Sequence, residues 1–115
     1  MGGTVGEYQN ALYYEAARML TLRCPGDVIH VHVSYVPVPS HLGEPKTKPT
    51  QLSVRTLNSM GIQPDFIIAR SEKVLDERRS ERLALFCNSH KDAVISSPDV
   101  ESLKNKNSQK KFFKN

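Results

Sequence analysis

Pro64-Asp65-Phe66-Ile67-Ile68-Ala69-Arg70-Ser71 is the stretch that decides the fold. Its four successive apolar residues, Phe66 to Ala69, stand between Pro64 and polar neighbours, and such a run fits a strand buried on both faces of a parallel sheet. Upstream, Val28 to Val36 alternates instead: Val28, His30, His32 and Ser34 share one face, while Ile29, Val31, Val33 and Tyr35 share the other. Between these strands lie Pro37, Pro39 and a polar loop over 41–48. A helix follows from Gln51 to Met60, with Pro49 at its opening, Thr50 as cap, Leu52, Leu57 and Met60 apolar, and Gly61 to close it. Downstream, Asp76 to Phe86 reads as a helix capped by Asp76 with Leu83 and Phe86 facing the core, and Ala93 to Ser96 reads as a last short strand. At the other end, Gln9 to Arg23 carries Leu12, Ala16, Met19 and Leu20 at three- and four-residue steps, the face of a helix that Pro25-Gly26 ends. Helix, strand, helix, strand, helix, strand predicts an α/β layer fold with a parallel sheet and right-handed crossovers.

The chain has 115 residues, enough for one compact domain. With 38% hydrophobic residues and no Trp the core is modest, and a chain of this size buries only roughly 60 to 70% of its unfolded surface. No run of about 18 apolar residues occurs and the first residues lack a basic segment followed by an apolar one, so neither a membrane span nor a secretory signal is expected, and the predicted location is cytoplasmic. Cys24 and Cys87 form no Cys-x-x-Cys pattern, and are read as ordinary reduced thiols. The net charge of +4 is local in origin. Residues 102–115 hold Lys104, Lys106, Lys110, Lys111 and Lys114 and no acid, which leaves the rest of the chain with 11 basic and 12 acidic residues. The body is therefore near neutral, the segment 104–115 reads as a Lys/Asn-rich disordered tail, and nucleic acid is not expected as a partner.

Ligands of parallel α/β sheets gather at the carboxyl ends of the strands. That rule singles out Gly2-Gly3-Thr4-Val5-Gly6, the loop from Gly43 to Gln51, Arg70-Ser71, and Ser97-Pro98-Asp99-Val100. The loop carries the strongest chemistry: Lys46 and Lys48 bracket the hydroxyl of Thr47, and Thr50 and Gln51 sit at a helix start, whose free N–H groups and dipole favour phosphate oxygens. His30 and His32 share a strand face, but no third ligand follows at metal-site spacing, and no metal site is expected from them.

Gly2-Gly3-Thr4-Val5-Gly6, Gly43-Glu44, Lys46-Thr47-Lys48-Pro49-Thr50-Gln51, Gly61-Ile62-Gln63-Pro64-Asp65, Arg70-Ser71, Ala84-Leu85-Phe86-Cys87-Asn88, Val94-Ile95-Ser96 and Asp99-Val100 resemble CTP synthase, in that family's order and close to its spacing. The likeness runs from about Gly2 to Ser102 and covers the later part of the amidoligase (synthetase) domain, residues 1–103. It implies a three-layer, parallel-sheet amidoligase fold of the P-loop, dethiobiotin-synthetase-like kind, here incomplete. It also implies a reaction of the glutamine-hydrolysing C–N ligase class: ATP phosphorylates O4 of UTP, and ammonia from glutamine, made in a separate glutaminase domain, displaces that phosphate to give CTP.

Carried over by position, Lys46, Thr47, Lys48, Pro49, Thr50 and Gln51 would bind the triphosphate of UTP or inhibitory CTP, with Lys46 and Lys48 the candidate catalytic residues. Arg82 stands where the family usually has a lysine on the same nucleotides. Pro98, Asp99 and Val100 would line ATP, Arg70 would lie on the side by which ammonia enters, and Glu7-Tyr8-Gln9 would occupy the segment that recognises allosteric CTP. The family works with ATP and Mg2+ as a homotetramer. This sequence shows no Gly-Lys phosphate loop, no glutaminase triad, and Met1 in place of the magnesium-binding Glu, so a truncated synthase is expected, without metal ligands of its own and inactive unless complemented by the absent segments. The alternative is a non-catalytic remnant that binds nucleotide or associates with a full-length synthase.

Overall fold

The computed structural model describes residues 7–40 and 43–100, so Gly2 to Gly6 and the lysine-rich segment 104–115 lie outside the described residues. Helix α1 (Ala11–Arg23) follows a single 3-10 turn, Tyr8–Asn10. The chain then alternates β1 (Val31–Tyr35), α2 (Lys48–Ser59), β2 (Phe66–Ser71), α3 (Glu77–Phe86), a second 3-10 turn (Lys91–Ala93) and β3 (Val94–Pro98). The three strands are parallel and ordered β1-β2-β3, with Val33 opposite Ile68 and Ile68 opposite Ile95. The fold is thus the expected α/β arrangement.

Both crossover helices lie on one face of the sheet. Val36, Val54, Ile67, Ala69, Leu75, Leu83 and Cys87 form the main core, each at most 5% exposed. Full burial of an aliphatic side chain such as Ile67 or Leu83 contributes about 1.5–3 kcal/mol. Two polar rungs cross the same seam between β1 and α2: Ser34 Oγ lies 2.8 Å from Thr50 Oγ1, and Ser53 Oγ lies 3.0 Å from His32 Nε2. Each rung satisfies hydroxyls or a ring nitrogen that burial would otherwise penalise.

Three local expectations about buried faces are corrected, while the open face of the sheet accords with the incomplete fold that was expected. The Phe66–Ala69 run is buried on one face only: Ile67 and Ala69 are in the core, whereas Phe66 is exposed, because both crossover helices took the other side. On the open face Val31, Val33, Tyr35, Phe66 and Ile95 are 39 to 58% exposed, so the second helical layer of a three-layer fold is not present among the described residues. In α1 the buried side chain is Tyr14, packed with Ala17 on Leu57 and Ile62; the predicted stripe of Leu12, Ala16, Met19 and Leu20 faces outward. Helix α1 rests on the end of α2 rather than on the sheet, so a tyrosine replaces leucine as its anchor. In α3, Leu83 is buried as expected, but its companions are Ala84 and Cys87, and Phe86 is exposed.

The boundaries follow from local chemistry. Asp76 caps α3 as predicted, its side chain accepting from Arg79 N at 3.0 Å. Helix α2 starts three residues earlier than expected, at Lys48, with Thr47 rather than Thr50 at the cap position and Pro49 in the first turn, where its missing N–H costs nothing. Gly61 turns the chain out of α2 at φ +82, and a Cβ there would meet Arg18 Cδ at 2.8 Å.

His32 provides a test of the seam. Burial holds its pKa below the ordinary 6.5, so the unfolded chain takes up a proton more readily than the folded one. Stability present above that value is lost as the pH falls through it. Thermal unfolding followed at pH 7.5 and 5.5 is expected to show a lower Tm at the acidic pH, and His32→Gln is expected to reduce the difference.

Candidate functional site: a cationic cleft at the carboxyl edge of the sheet

Parallel strands bring their carboxyl ends to one edge, and two connections meet there. After β1 the chain folds back on itself, with Gly43 N donating to Ser40 O at 2.8 Å and Lys46 N to Pro37 O at 2.9 Å. A Cβ on Gly43 would stand 2.9 Å from Ser40 N, so this turn has room only for glycine. The loop then runs directly into α2. After β2, Leu75 N is held by Ser96 Oγ at 2.9 Å and the chain enters α3 through Asp76.

Between the loop and the first turns of α3 lies a cavity of about 450 Å³, lined by Glu44, Pro45, Lys46, Thr47 and Lys48 on one side and by Asp76, Arg78, Arg79 and Arg82 on the other. Arg79 is paired with Asp76 (Nη1 to Oδ2, 2.6 Å) and Glu44 (Nη2 to Oε2, 3.0 Å). Lys46, Lys48, Arg78 and Arg82 have no ion pair among the described residues. Five cations against two carboxylates, with the start of α2 beside them, make a wall that attracts a multivalent anion. A neighbouring cavity of about 290 Å³ shares Lys48 and Arg82 and adds Gln51, Leu52, Arg55 and Phe86.

Of the residues singled out from the sequence, Lys46, Thr47, Lys48 and Arg82 come together on the first cavity. Thr50 does not face it, being fully buried and bonded to Ser34. Gln51 donates from Nε2 to Thr47 Oγ1 at 3.1 Å and so braces the loop, and Pro49 is exposed in the first turn of α2. Glu7, Tyr8 and Gln9 lie ahead of α1 and line none of these cavities; Tyr8 is almost wholly exposed. Pro98 ends β3, and Asp99 and Val100 follow it on the same edge of the sheet but outside the cavity, where Asp99 N donates to Ser71 O at 2.9 Å. Arg70 reaches Asp99 only loosely, at 3.9 Å. Sequence reasoning missed Arg78 and Arg79. Arg78 stands four residues before Arg82 in a predicted helix, and that spacing placed both on one face.

The two histidines are committed to the fold: His30 Nε2 lies 2.6 Å from Thr21 Oγ1, and His32 is bonded to Ser53. No group of three or more His, Cys, Asp or Glu capable of holding a metal occurs among the described residues. Glu44 and Asp76, the carboxylates of the cavity, both bind Arg79, a donor set that does not fit magnesium. Among the described residues, no helix is long and apolar enough to cross a membrane.

An α/β protein with a cationic cleft at the carboxyl edge of its parallel sheet is the class that this fold and site define. The particular family follows from comparison with known proteins. A family model described as CTP synthase N-terminus matches residues 1–109, and the chain belongs to that family. It is 51% identical over 102 residues to a CTP synthase of Pyrococcus furiosus, 44% over 104 residues to one of Cereibacter sphaeroides and 42% over 104 residues to one of Borreliella burgdorferi. These matches cover 88 to 90% of the chain, which spans about a fifth of the length of these curated relatives, 19 to 20%.

Cys87, which follows the last residue of α3, is a poor nucleophile: burial pushes its thiol up to about 11, against a partial downward pull from Arg55. Cys24 is only half-buried. In the native protein a maleimide or disulfide reagent is therefore expected to modify Cys24 first, with Cys87 reacting only after unfolding; mass spectrometry of the labelled peptides reads the order.

Proposed function

We propose that the chain provides the part of a CTP synthase amidoligase domain that grips the triphosphate of UTP, or of CTP as an inhibitor. The observation that carries the reading is the convergence of Lys46 and Lys48, from the loop, with Arg82, from α3, on one cavity, with no carboxylate paired to them among the described residues. Thr47 adds a hydroxyl, while Thr50 and Gln51 hold the start of α2 in place. In phosphoryl transfer catalysis consists largely of positioning and charge neutralisation, which is what Lys46 and Lys48 would contribute to amination of UTP.

The remaining roles belong to the same proposal. Pro98, Asp99 and Val100 would contact ATP at the carboxyl end of β3, and Arg70 would flank the path of ammonia. Glu7, Tyr8 and Gln9 would meet allosteric CTP across a subunit contact in a homotetramer. In the family, ATP supplies the phosphoryl group and magnesium neutralises its charge.

Titration of UTP into the full chain, Lys46→Ala, and a version ending at Ser102 tests the grip. Loss of one charge-assisted hydrogen bond removes roughly 1.5–3 kcal/mol, about ten- to a hundredfold in affinity. Lys46→Ala is expected to weaken UTP binding by that factor and removal of the tail to change it little. Binding that survives Lys46→Ala but vanishes with the tail overturns the assignment.

A second reading, association with synthase-type chains, is supported by the uncovered sheet face. Val31, Val33, Phe66 and Ile95 form an apolar surface, and among the described residues β1 and β3 have open edges, which favours association over a monomer. Size-exclusion chromatography is expected to show oligomers that Val33→Asp dissociates; a monodisperse wild-type monomer would remove this reading.

A further inference from the structure

We infer that Arg79 is a further binding residue for the triphosphate, and that the carboxylate of Glu44 occupies it until a phosphoryl group takes its place. The inference rests on reading the cavity as a triphosphate site and adds to that site a residue which the sequence did not reveal.

Arg79 is oriented in advance. Asp76 accepts its backbone N–H at Oδ1 (3.0 Å) and its Nη1 at Oδ2 (2.6 Å), so one side chain both caps α3 and fixes the plane of the guanidinium. The Arg79 side chain is only 26% exposed, and its other edge, Nη2, points along the cavity wall to Glu44 Oε2 at 3.0 Å. A guanidinium held in this way binds an oxyanion without the loss of rotamer freedom that a lysine incurs.

Glu44 is the weak partner. Its side chain is 72% exposed, and a pair this open holds loosely. The loop does not depend on it, since Gly43 and Lys46 are anchored through their own N–H groups to Ser40 and Pro37. Glu44 also faces a wall that includes Lys46, Lys48, Arg78 and Arg82, none of them in an ion pair among the described residues, where a carboxylate repels the same anion that those cations attract. A phosphoryl group carries more charge than a carboxylate and offers more acceptor oxygens, so it outcompetes Glu44 for Nη2. The bridge is thus an internal stand-in for the ligand, and its displacement subtracts from the affinity for the nucleotide.

Calorimetric titration of UTP at one fixed ionic strength, on the full chain and its variants, tests this, with circular dichroism melts to establish that each is folded. Glu44→Gln is expected to tighten UTP binding about three- to fivefold, because the competitor is gone. Arg79→Ala is expected to weaken it about tenfold or more, with Arg79→Lys in between. In the Arg79→Ala background the gain from Glu44→Gln is expected to shrink to within about twofold, the non-additivity of two groups that act on one another. An unchanged or weaker affinity for Glu44→Gln, no effect of Arg79→Ala, or an undiminished gain in the double variant overturns the inference, while loss of binding in Lys46→Ala leaves the triphosphate site standing. Absence of UTP binding, or binding indifferent to Lys46→Ala, overturns both.

Discussion

Everything in this chain depends on α2 lying against β1. The contact mixes two kinds of chemistry: Val54 is driven into the core beside Ile67 and Leu83, while the rungs from Ser34 to Thr50 and from His32 to Ser53 fix the register. An all-apolar seam tolerates sliding by a fraction of a turn. Paired hydroxyls do not, because a shift would strand buried polar atoms at about 1–3 kcal/mol each. The start of α2 is therefore pinned, and with it Lys46, Thr47 and Lys48. Structure and site share this constraint, since Thr50 belongs to the segment Lys46–Gln51 and yet spends its hydroxyl on the sheet.

The order of elements was legible in the sequence because each depends on local signals. The Asp76 cap, Gly61 after α2 and the period-two pattern around Val31 each arise from neighbours a few residues apart. What failed was the choice of buried face. Leu12, Ala16, Met19 and Leu20 look like the inward side of a helix, yet they face outward, and on β1, where the pattern names two faces without choosing between them, the apolar face of Val31, Val33 and Tyr35 is the exposed one. Hydrophobic periodicity identifies a face that wants cover, not which neighbour supplies it. The same limit explains Phe66 and Phe86, both read as core and both exposed.

The site divides in a similar way. Lys46, Thr47 and Lys48 were visible because they crowd a short loop before a helix, and Arg82 because of the likeness to CTP synthase. Arg78 and Arg79 were passed over because a run of charges on a helix ordinarily means a solvated surface. The pairing of Arg79 with Glu44 joins residues 35 positions apart, and no local pattern encodes it. Thr50 and Gln51 belong to the same hexapeptide, and their side chains brace the start of α2, Thr50 on Ser34 and Gln51 on Thr47, while Gln51 also lines the neighbouring cavity.

Helix α1 is joined to the rest differently from its companions. Its anchors are Tyr14 on Leu57 and Ile62, and the Thr21–His30 hydrogen bond, a cluster separate from the main core. Local opening of a protein costs the contacts that the opening segment loses, and these are few. Amide hydrogens of α1 therefore exchange with solvent through a small detachment that leaves β2 and α3 protected, so that the end of the molecule bearing Glu7 to Asn10 breathes on its own clock while the cationic cleft keeps its shape.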